Sequence, residues 1–89
     1  MHRVDFSKMV IRKVDGTPFT PEETRMTKNN VCDRIYAEAM DIPTMELAVK
    51  VYHADGEVEL SDYEVELLKR SLEKFPAFIR KGFTDFFVR

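Results

Sequence analysis

Three side chains in this sequence have the chemistry of a soft-metal ligand or a nucleophile–base pair: His2, Cys32 and His53. They lie far apart along the chain. A zinc site needs several such ligands at short, characteristic spacings, so no metal site is expected from them. Cys32 falls beside Tyr36 on an apolar stripe with no base nearby, which marks a packing residue rather than a nucleophile. Ser7, Ser61 and Ser71 sit in no nucleophile motif. Gly16, Gly56 and Gly82 are isolated, so no phosphate-cradling loop exists. The reading is of a non-enzymatic chain with no cofactor.

Residues 51–62, VYHADGEVELSD, resemble the middle of a calcium loop: Asp-Gly, then Val two residues on, between two helical patterns. With Gly56 at the sharp turn, the first loop position falls on Val51 and the third on His53. Asp55 alone is a proper oxygen ligand before the glycine, and Asp62 stands where a bidentate Glu is needed. A divalent-metal-responsive turn is therefore the alternative reading. The leading one is a helix-ending Asp55-Gly56 turn followed by a helix cap.

Charge is segregated in the second half. Asp55, Glu57, Glu59, Asp62, Glu64 and Glu66 run without a base, and Lys69, Arg70, Lys74, Arg80 and Lys81 follow. Acids at the start of a helix and bases toward its end complement the macrodipole. The same run also makes a polarised surface that suits a charged partner. Five of the seven phenylalanines lie within residues 75–87. Phe86 and Phe87 are adjacent and point in different directions on a helix. A ring exposed near Arg80, Lys81 or Arg89 would mark a docking or self-association patch. The candidate partner-binding residues are Glu57, Glu59, Glu64 and Glu66 on the acidic face, with Arg80, Lys81, Phe86 and Phe87 at the aromatic end.

The elements that position these residues are legible from periodicity. Val4 to Val14 alternates, slips phase near Ser7–Lys8, and meets the turn signal Asp15-Gly16. Thr17 to Thr20 is a short return strand restricted to an edge by Pro18. The spacing predicts a β-hairpin over 4–20 and helices over 27–41, 43–53, 61–75 and 76–88. Thr20-Pro21-Glu22-Glu23 is a second candidate start for the first helix. Val31, Cys32, Ile35, Tyr36, Ala39 and Met40 form the apolar face of that helix. Met45, Ala48, Val49 and Tyr52 form the face of the next, with Leu47 and Val51 on its shoulders. Glu57 to Leu60 is an alternating, extended linker. Ser61 to Glu64 is a capping box. Val65, Leu68, Leu72 and Phe75 make the third stripe, and Gly82 interrupts the fourth helix, where its small size suits a close approach.

Composition bounds the rest. An 89-residue chain that is 44% hydrophobic, with a net charge of −2, forms one small globular domain, 1–89. No apolar run approaches the roughly 18 residues needed to span a bilayer. The alternating N-terminus is not a signal peptide, and a single cysteine suits a reducing cytoplasm. An acidic balance weighs against nucleic acid as the main partner, though Arg80, Lys81 and Arg89 would serve an accessory role.

The chain as a whole resembles a group of small bacteriophage- and prophage-encoded proteins. The residues that carry the likeness are Val4-Asp5-Phe6, Asp15-Gly16, Leu47-Ala48-Val49-Lys50-Val51-Tyr52, Glu57-Val58-Glu59-Leu60-Ser61 and the Leu-rich stretch from Tyr63 to Leu72. The Phe-rich tail departs from the aliphatic end of that pattern. Ala54 through Leu68 is also similar to the acidic helix pairs of tellurite-resistance domains. The resemblance implies phage origin and a non-catalytic role, and it carries no functional residues over. The expectation is an α+β, mostly helical fold: a short N-terminal hairpin packed on three to four helices. Its expected work is binding a host or phage protein, with a homo-oligomer as a further possibility.

Overall fold

A computed structural model describes residues 2–54 and 56–87, with side chains through residue 83. The order is β1 (His2–Asp5), a 3₁₀ turn (Phe6–Lys8), α1 (Pro21–Glu38), α2 (Ile42–Tyr52), β2 (Glu57–Leu60), α3 (Asp62–Leu72) and α4 (Ala77–Phe87). The fold is α+β and mostly helical. No helix among the described residues is long and apolar enough to cross a membrane.

The strand pairing differs from the expected hairpin over 4–20. β1 pairs antiparallel with β2, His2 opposite Leu60 and Asp5 opposite Glu57. The stretch expected as an extended linker is therefore the second strand. Val4 and Leu60 point inward and are buried, while Arg3 and Glu59 face each other on the outside. The phase slip at Ser7–Lys8 is a 3₁₀ turn. Asp5 caps it by accepting from the Ser7 N–H at 3.0 Å, and Phe6 drops into the core. The Asp15-Gly16 turn does form. It closes through a single bridge, Arg12 to Pro18, with Lys13 N–H donating to Thr17 O at 2.8 Å. On the far side of Pro18, the Phe19 N–H donates to the Ile11 carbonyl at 2.8 Å.

The first helix starts six residues before the predicted 27, at the second candidate start. Thr20 accepts from the Glu23 N–H at 3.1 Å, Glu23 accepts from the Thr20 N–H at 3.0 Å, and Pro21 opens the helix. It ends at Glu38, with Ala39 extended. Ser61 and Glu64 form the same reciprocal cap on α3. Asp41 caps α2 through the Thr44 N–H.

One core joins these elements. Ile11, Phe83, Leu60, Leu68, Leu72 and Val51 are its most enclosed large residues. Phe6 meets Phe83 as a tilted pair with centroids 6.2 Å apart. Gly82 provides the close approach its size suggests, though the neighbour is not a helix. A Cβ there would lie 2.8 Å from Ile11 Cγ1 and 3.3 Å from the Val10 carbonyl oxygen. The chain between the 3₁₀ turn and the Asp15-Gly16 turn thus runs directly against α4.

The phase of α2 is also corrected. The buried residues are Leu47, Ala48 and Val51, while Val49 and Tyr52 turn outward. This is a rotation of about one residue, roughly 100°. A helix that is apolar around more than half its circumference does not determine its own phase. On α1, Val31, Cys32 and Ile35 are buried as expected, but Tyr36 is exposed, as is Met40 just beyond the helix.

Candidate docking faces

The acidic run does not form one free surface. Glu57 and Glu59 stand outward on β2, where Arg3 reaches both, at 3.5 and 3.4 Å. Glu64 is half-buried. It caps α3 and pairs with the Lys50 ammonium at 3.0 Å. Burial acts to raise its pKa, but the Ser61 N–H and Lys50 outweigh that and hold the carboxyl below its ordinary value. Asp62 contacts the His2 imidazole. Glu66 is exposed on α3. Glu57, Glu59 and Glu64 are thus met by cations of the same chain and Asp62 by an imidazole, so most of the acidic run is engaged internally.

The aromatic end behaves differently. Arg80 and Lys81 are exposed on α4, and the side chains of Phe86 and Phe87 lie outside the described residues. The exposed ring there is Phe78, which pairs with Phe19 at a centroid distance of 6.3 Å. Phe83 is fully enclosed.

The bend after α2 holds a residue that sequence reasoning missed. Lys28 is only 4% exposed, and its ammonium donates to the carbonyls of Val51 (2.9 Å), Tyr52 (3.3 Å) and Ala54 (2.9 Å). A cation at a helix C-terminus also complements the macrodipole. The contact ties the first half of α1 to the end of α2, the arrangement of an antiparallel pair. These oxygens are the kind a calcium ion would take, so a metal at this bend would have to displace an internal positive charge. Asp55, the one proper ligand of the calcium-loop reading, lies outside the described residues. Among the described residues, no His, Cys, Asp and Glu side chains group in threes about a common point. The missed signal was phase. Stepping back from Ile35 and Cys32 along the buried stripe lands on Lys28 and then Thr24, both buried.

Tyr36, Met40, Val49 and Tyr52, which sequence periodicity had assigned to the core, are exposed. Among the described residues, Met26, Tyr36, Met40, Ile42, Val49 and Tyr52 are large apolar side chains left exposed on α1, α2 and their link. Three of them, Tyr36 at 52%, Val49 at 42% and Tyr52 at 39% exposure, line a groove between the two helices of about 270 Å³. Buried Cys32 and Ala48 form its floor, and Asp33 and His53 stand at its rim. Burial pushes the Cys32 thiol up to about 12, so it is a packing atom and not a thiolate. Tyr52 and His53 meet edge to face at 5.1 Å. Comparison with protein-family models, with curated proteins and with solved structures finds no match to this chain.

Proposed function

We propose that this chain is a small, non-enzymatic protein-binding domain, an adaptor or inhibitor of phage or prophage origin. It acts in the cytoplasm by docking a host or phage protein on the outer face of α1 and α2. The observation that carries this reading is the groove holding Tyr36, Val49 and Tyr52. Half-exposed tyrosines around an apolar floor are what protein interfaces enrich, because they bury a large area at low entropic cost and keep a polar tip. Two antiparallel helices also leave a groove that suits an apolar helix of a partner. The phage setting rests on the sequence resemblance. A non-catalytic role is supported by a thiol held protonated and by carboxylates engaged in caps and ion pairs.

Affinity capture from a bacterial lysate tests the proposal, with the wild-type chain and Val49→Glu as baits. Val49 is exposed, so the substitution leaves folding within about 0.5 kcal/mol. A protein retained by the wild type and lost from the variant supports the reading. An identical retained set overturns it. Light scattering across dilution separates a second copy of this chain from a foreign partner.

A further inference from the structure

We propose a second docking site, made of other residues and other chemistry, that takes an acidic peptide segment anchored by one apolar side chain. It goes beyond the α1–α2 reading and stands or falls without it. The site is the hollow between the Asp15-Gly16 turn and the start of α4, about 520 Å³, lined by Arg12, Lys13, Val14, Phe19 and Phe78. The tilted Phe19–Phe78 pair is its floor, with Phe78 48% exposed. Val14 projects entirely into solvent as one wall. Two cations form the rim.

Neither cation has a close carboxylate partner among the described residues. The Asp15 carboxylate is engaged by the Thr17 N–H at 3.0 Å and hydroxyl at 2.6 Å. Glu23 is held in the α1 capping box and reaches Lys13 only at 3.9 Å. Arg12 donates one N–H to the Gly16 carbonyl at 3.0 Å, and a guanidinium has five to give. An apolar floor inside a basic rim selects a carboxylate-bearing segment that seats one ring or branched aliphatic between Phe19 and Phe78. Nucleic acid fits less well. The chain is acidic overall, at −2, and the rim spans too few cations to track a phosphate backbone.

Fluorescence anisotropy with the full chain decides the matter. The probe is a short labelled peptide of glutamates and aspartates around one central phenylalanine. Comparison probes replace the phenylalanine with serine, replace the acids with their amides, or are oligonucleotides of similar length. The expected result is saturable binding of the first probe alone, weakening as salt rises. Phe78→Ala should weaken it by about ten-fold. Reversing Arg12 and Lys13 to Glu should abolish it, and Val49→Glu should leave it unchanged. Should Phe78→Ala melt early, the charge reversal decides, since both of its positions are exposed. Equal binding of the serine probe, tighter binding of an oligonucleotide, or no binding of the first probe would each overturn the proposal.

Discussion

A buried ammonium on three helix-end carbonyls is a strong local commitment, because its removal leaves acceptors without the donor that folding placed there. Lys28→Met keeps the aliphatic volume and removes the charge. It should lower stability by about 3 kcal/mol in urea unfolding, since hydrogen bonds to charged groups are the stronger class. Glu64 makes a pH-dependent contribution. Its folded pKa is depressed, so its stabilisation is complete above the ordinary carboxylate value of 4.5 and is lost as pH falls through the lower folded value. Glu64→Gln should therefore be less stable than the wild type at neutral pH, with the gap closing on acidification. Thermal melts from pH 7 down to about pH 3 measure this. Neither role was evident from residue type alone. Lys28 reads as a solvated lysine until the buried stripe of α1 is extended back to it. Glu64 was legible as half of a capping box, but its partner Lys50 lies on another helix.

At the scale of elements, local chemistry was readable where it was self-contained. The capping boxes at Thr20 and Ser61 and the stripe Val65, Leu68, Leu72 and Phe75 depend on neighbours a few residues away, and all appear. What failed was pairing and phase. Whether Val4 pairs with its own hairpin or with Val58 depends on a contact across more than fifty positions, which alternation cannot encode. The phase of α2 depends on which neighbours claim Leu47 and Val51. Gly82 is the element-scale contact most open to test. Alanine would gain up to about 1 kcal/mol of helix propensity. Its Cβ would meet the enclosed Ile11 at 2.8 Å, and overpacking of this kind costs about 1–3 kcal/mol. Gly82→Ala should therefore be net destabilising, by about 1 kcal/mol in chemical denaturation, whereas a stabilised variant would show that the 10–11 segment yields easily.

For the whole molecule, the mismatch between periodicity and burial is itself informative. Tyr36, Val49 and Tyr52 follow a core pattern yet face solvent, and a local rule broken without an internal gain is what a docking face produces. Three of the four acids chosen from sequence, Glu57, Glu59 and Glu64, pair with the molecule's own cations, which is why a charge run read alone overstated their availability. On the function proposed above, a partner sits in the α1–α2 groove. The most direct test is amide chemical-shift mapping of the labelled chain titrated with the protein retained in the capture experiment. The largest shifts are expected at Tyr36, Val49 and Tyr52. Shifts concentrated instead between Glu57 and Glu66, with the groove silent, would contradict it.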